Sequence, residues 1–172
     1  LIYALPPYIL EIMLDTYTGI FNEIAPGVPF VGGLPSYNSA GDQNFTLADG
    51  RLYPDRLIIL AISGNIRPVF SVQTVTNCNE NNKRKVTKAA DNVIHTVGER
   101  TFTEYLSEVG LPLDLLTGGN STVTFVANPI LVEEHRGGHS DSFKYLRSLH
   151  AIDLGSGTGT AIGRVPVGSY IN

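Results

Sequence analysis

The chain has 172 residues, 42% of them apolar and only 16% charged, which is enough for one packed domain and excludes disorder driven by charge. Twelve Lys and Arg against sixteen Asp and Glu leave a net charge of −4, so no cationic surplus exists to neutralise nucleic acid or an anionic membrane. The single cysteine, Cys78, cannot form an internal disulfide, and the longest apolar run, residues 57–62, is far short of the ~20 residues that cross a bilayer. Residues 1–5 have no charged signal-peptide start, and the chain reads as soluble.

In chain order, Ile9, Met13, Tyr17 and Ile20, flanked by Leu10, Leu14 and Phe21, recur at three- and four-residue spacing and predict a helix over residues 7–21 with a broad apolar face. Pro6 and Pro7 suit its first turn, and Pro26-Gly27 stops it. Residues 28–31 read as a short strand ending at Gly32-Gly33, a pair that lets backbone or ligand come close. Asp49-Gly50 between residues 44–47 and 51–53 predicts a tight hairpin. Residues 56–63 and the alternating 69–76 predict two more strands joined as a meander. The polar run 77–85 reads as a connector.

A strand is predicted over 93–97, then a helix over 102–109 that opens with a Thr101 to Glu104 capping box and closes at Gly110. Strands over 122–132 and 145–154 flank a polar loop at 133–142, and a last strand follows the turn-rich 155–159. The final residues, 169–172, read as a strand cut short, so the chain is expected to be a piece of something longer. The expected class is α+β, with mostly antiparallel sheet and two main helices.

Chemistry-bearing motifs are sparse. Gly155, Gly157 and Gly159 match no phosphate-loop spacing and read as a flexible turn. His135 and His139 stand near Glu133 and Glu134, but Gly137-Gly138 breaks the helix that would bring both rings to one metal, so no metal site is expected. Cys78 lies in an Asn-rich run with no nucleophile turn, and neither paired carboxylates nor a serine elbow occurs, so no catalytic residue is assigned. A hydrolase using Cys78 or Ser36 is the weakest reading. The loop of residues 32–41 offers hydroxyl, amide and backbone donors for a small-molecule pocket, chiefly Gly32, Gly33, Ser36, Asn38 and Ser39. The alternative is an ordinary long connection.

PGVPFVGGLPSYNSAG (26–41), FTLADGRLYPDRLIILAISGNIRP (45–68) and KVTKAADNVIHTVGERTFTEYLSEVGLP (85–112) resemble, in this order, the FIST family, named for F-box and intracellular signal transduction proteins. NPILVEE (128–134), YLRSLHAID (145–153) and RVPVGSYI (164–171) look like the C-terminal half of the same module. On this resemblance residues 1–76 close the N-terminal half, 77–84 connect, and 85–172 form the C-terminal half. It implies a cytoplasmic sensory input domain of bacterial signalling without catalysis or cofactor, whose ligand is an amino acid or other small carboxylate. Its output would be a histidine kinase, cyclase or chemotaxis module on the same polypeptide, with no nucleic-acid or membrane contact from this segment.

A planar guanidinium matches a carboxylate with two parallel bonds. Arg147, set in an alternating strand between Leu146 and Ser148, is the expected carboxylate holder, with Ser36 and Asn38 as polar partners and Arg67 as runner-up. The competing reading is a protein-interaction module that uses exposed sheet edges and the 77–85 run.

Overall fold

The computed structural model describes residues 1–6, 14–33, 45–71, 79–116, 128–135 and 142–172, which fall in two compact units, Leu1–Thr74 and Val75–Asn172. The first unit holds strand β1 (Ile2–Leu5), helix α1 (Leu14–Ile24), β2 (Phe30–Gly32), the hairpin β3 (Thr46–Ala48) and β4 (Arg51–Tyr53), and β5 (Ile58–Ala61). β1 is central, with β2 parallel on one side and β5 antiparallel on the other. A strand, a helix and a return strand in one direction is the arrangement that makes a parallel pair possible. The β3–β4 pair is the predicted hairpin, whereas β5, expected to lead into a meander, pairs with β1.

The hairpin follows its turn chemistry. Asp49 and Gly50 sit at φ 49° and 71°, the left-handed conformations that a two-residue turn of this hand requires. The buried Thr46 hydroxyl closes its base, donating to the carbonyls of Tyr53 and Arg56. Helix α1 packs more narrowly than its periodicity predicts: Phe21 is buried, whereas Ile20 and Ile24 face solvent. Of the strand expected at 69–76, Val69, Phe70 and Ser71 are irregular and the rest lies outside the described residues.

The second unit opens with a short 3₁₀ turn (Glu80–Asn82), so the polar run is structured from Asn79 onward and only its start lies outside the described residues. It continues with β6 (Arg84–Ala90), β7 (Val93–Val97), β8 (Arg100–Thr101), α2 (Phe102–Glu108), a one-turn α3 (Leu113–Leu116), β9 (Ile130–His135), β10 (Ser142–Arg147), β11 (Leu149–Asp153), β12 (Thr158–Ala161) and β13 (Tyr170–Ile171). The main sheet runs β10-β9-β13-β6-β7-β12-β11, all antiparallel. Its two end strands, β10 and β11, are separated in sequence by Ser148 alone. A chain spans only ~3.8 Å per residue, so the ends of the sheet must meet at that corner, and the sheet curls round on itself.

Val86, Ile94, Ile130, Val132, Leu149 and Ile171 from the curled sheet are buried with Phe102, Tyr105 and Leu106 of α2 in one cluster. The start of α2 is fixed by the predicted capping box: the Thr101 hydroxyl accepts from the Glu104 amide at 3.3 Å, and the Thr101 amide donates to the Glu104 carboxylate at 2.8 Å. Gly110, at φ 88°, ends the helical turn.

Three sequence expectations are corrected here. Residues 133–135 belong to strand β9 rather than to a loop, because alternation places Ile130 and Val132 in the core and carries the strand on. The run 145–154 is two strands turning at Ser148. The glycine-rich stretch does turn, at residues 154–157, but the turn is pinned by side-chain bonds and Gly159 lies in β12. Asp153 accepts from the amides of Gly155 and Ser156 and from the Ser156 hydroxyl, which holds its carboxyl below the usual range. A Cβ on Gly157 would stand 2.8 Å from that of Thr101, and one on Gly159 would strike the Phe102 ring, so both glycines let α2 lie close on β12.

Candidate functional site

In the first unit a groove of about 310 Å³ lies between α1 and the β1–β2 pair. Strand β1 and its continuation supply Ala4 and Pro6, while α1 supplies Tyr17, Thr18 and Phe21. The end of β2 supplies Phe30, Val31, Gly32 and, beyond it, Gly33. One helical face explains the α1 contribution, since positions three and four apart share a side. The rings of Phe21 and Phe30 meet with centroids 5.3 Å apart and a 37° tilt. The Thr18 hydroxyl donates to the Asp15 carbonyl at 2.9 Å. Burial pushes the Tyr17 phenol above its usual value, so the hydroxyl keeps its proton as a donor.

The two glycines separate. A Cβ on Gly32 would run into the carbonyl oxygen of Ala4, so Gly32 is what allows β2 to lie against β1. A Cβ on Gly33 meets no atom of the described residues within 4 Å. The expectation that both are needed for backbone approach holds for Gly32 only, because Gly33 has already left the strand pairing that ends at Gly32. Ser36, Asn38 and Ser39 lie outside the described residues, as do Cys78 and His139. Arg67 is exposed in the irregular segment after β5.

Arg147 lies in the second unit, near the end of β10. Its guanidinium stacks over the Tyr145 ring at 4.4 Å, and its Nε donates to the Arg164 carbonyl at 3.2 Å. Those contacts tie β10 to the segment after β12. The same unit holds a buried carboxylate, Glu133, on β9. Lys83 Nζ lies 2.6 Å from it and Lys144 Nζ 3.4 Å, with the His135 ring at 3.5 Å. The Lys83 bond outweighs the burial that opposes it and holds the Glu133 carboxyl down at about 2. Glu133 also joins elements far apart in sequence, since Lys83 precedes β6 and Lys144 lies on β10. With both ammonium groups on one carboxylate, the cluster is a structural ion network. Among the described residues no three His, Cys, Asp or Glu side chains converge to hold a metal.

The groove residues Tyr17, Thr18, Phe21 and Phe30–Gly33 lie within the stretch 15–100, which matches the FIST N domain. The match covers half of the chain. This protein belongs to the FIST family. FIST domains are sensory domains of signal transduction rather than catalytic ones. No curated protein and no solved structure matches the chain. Among the described residues no helix is long and apolar enough to cross a membrane.

The sequence placed Tyr17 and Phe21 on an apolar helix face and read that face as core. What turns part of it into a groove wall is β1, whose four residues carry no turn signal and whose pairing partner β5 lies over fifty residues away.

Proposed function

We propose that this FIST chain is a small-ligand-binding sensory input domain, and that its ligand is a molecule of about amino-acid size held in the groove of the first unit. The observation that carries the reading is the groove itself: a concavity at the low end of the ~300–1,000 Å³ range of ligand sites, formed largely by residues inside the family match. Signalling requires that the ligand bind two conformations unequally. The output belongs to a further domain of the same polypeptide, such as a histidine kinase, cyclase or chemotaxis module, on the cytoplasmic side. In this reading residues 1–76 close the N-terminal half of the module and 85–172 continue into its C-terminal half. Gly32 and Gly33 border the site directly. Ser36, Asn38 and Ser39 follow them in sequence.

A thermal-shift screen of amino acids, small carboxylates and small neutral ring compounds tests this. A ligand at 100 times its dissociation constant stabilises by about 2.7 kcal/mol, which is a readily measured shift in melting temperature. A screen in which nothing shifts rejects the reading. It would favour the second one, a protein-interaction module, for which the first unit offers a row of exposed side chains, Val31, Tyr3 and Leu60, in register across β2, β1 and β5.

A further inference from the structure

We infer that the groove of the first unit selects an uncharged, ring-bearing small molecule and does not hold a carboxylate. The inference rests on the ligand-binding reading and narrows it. Among the described residues no Lys, Arg, His, Asp or Glu lines the groove. An anion held against these residues would lose its hydration without gaining a countercharge from them, a cost of several kcal/mol. What the groove offers instead is aromatic surface. Phe21 and Phe30 form a tilted pair, and Tyr17 adds a third ring from the same helix face as Phe21. Aromatic rings pack on one another in offset or edge arrangements at such separations.

Among the described residues the polar chemistry at the groove is limited and neutral. The Thr18 hydroxyl is engaged with the Asp15 carbonyl. Among the described residues the Tyr17 hydroxyl has no hydrogen-bond partner, which leaves a phenol to pair with one hydroxyl, carbonyl or ring nitrogen on the ligand. A volume of about 310 Å³ accommodates one or two fused rings with a short substituent. Phenol and indole have this chemistry and serve as probes.

The test is calorimetric titration of the whole chain with phenol, indole and toluene against acetate, glycine and glutamate, for the wild type and two variants. Gly33→Leu adds bulk at the groove rim, where a Cβ meets no described atom within 4 Å and the strand pairing has already ended at Gly32. Tyr17→Phe keeps the ring and removes the donor. The ring probes are expected to bind the wild type and the carboxylates not. Gly33→Leu should weaken all three ring probes at least tenfold. Tyr17→Phe should weaken phenol about three- to tenfold and leave toluene unchanged.

Binding of acetate, glycine or glutamate in preference to the rings overturns the inference and leaves the ligand-binding reading standing. Ring binding that neither Gly33→Leu nor Tyr17→Phe alters overturns the groove as its location. Failure of every probe, ring and carboxylate alike, counts against both, and the broader screen then decides the ligand-binding reading.

Discussion

In the second unit a curled sheet encloses Phe102, Tyr105 and Leu106 of α2, and the buried cluster draws on β6, β7, β9, β11, β12 and β13. In the first unit, among the described hydrophobic residues, only Ala4 and Phe21 are buried, while Leu47, Leu52, Leu60, Val69 and Phe70 are more than half exposed. Among the described residues of the second unit, the exposed large hydrophobics are Phe143, Leu154 and Val167. The difference is geometric. A sheet that curls on itself needs one helix to complete a core. An open three-stranded sheet with a helix on one side leaves its other face bare and keeps a groove where the helix does not fully cover it. Weakly buried elements open at lower free energy than core elements, and ligand-responsive parts of proteins are drawn from them. The same contrast puts the larger buried core in the second unit, and on the proposed reading it is the first that responds to a ligand.

The largest expected effect tests the core side of the contrast. Phe102 is fully buried, and Phe102→Ala should cost about 3–5 kcal/mol in denaturant unfolding. Leu60→Ala, at 57% exposure, should cost within about 0.5 kcal/mol. Equal losses from the two would remove the distinction between the units.

Next is the strand pair beneath the groove. Gly32→Ala forces β2 away from Ala4 and should cost about 2–3 kcal/mol, read locally as faster amide exchange in β1. Gly33→Ala should leave exchange at β1 unchanged. Slowed or unaltered exchange in Gly32→Ala would show that the close approach is not what holds the pair.

The pH dependence should belong to the second unit. Because the Glu133 carboxyl is held at about 2 in the folded chain against an ordinary 4.5, the unfolded state binds its proton first as the pH falls. Its stabilisation is complete above pH 4.5 and declines as the pH falls toward about 2. With Lys83 and Lys144 partly exposed, about 1–2 kcal/mol is at stake after solvent screening. Glu133→Gln should flatten the acid limb of stability between pH 5 and 2, and a variant that keeps the full slope would place its origin elsewhere. The smallest effect is at the α2 start, where Thr101→Ala should cost about 1 kcal/mol by chemical denaturation. No change would mean that the Glu104 side chain alone suffices as a cap.

Much of this was legible from local chemistry. The Asp49-Gly50 hairpin, the Thr101 capping box and the Gly110 stop each depend on a few neighbouring residues, and each appears where the sequence put it. The groove was legible only in part. Gly32-Gly33 pointed to its rim, but Tyr17 and Phe30 read as ordinary packing residues, since nothing near them in sequence reveals the strand they face. Arg147 was chosen because it sits in an alternating strand. Its neighbours Tyr145 and Arg164 give that position a local purpose that alternation does not reveal.

The sequence by itself determined the α+β class, the family resemblance and the turns and caps, because these follow from backbone preferences and short-range hydrogen bonds. Only the tertiary structure decided which strands pair. It made residues 2–5 the centre of one sheet, and it split 145–154 at Ser148 to close the other. It also turned Gly157 and Gly159 into the bed for α2. The physical reason is common to all three. Strand pairing and close packing are settled by partners tens of residues away, and a strand's own residues specify only which of its faces is apolar.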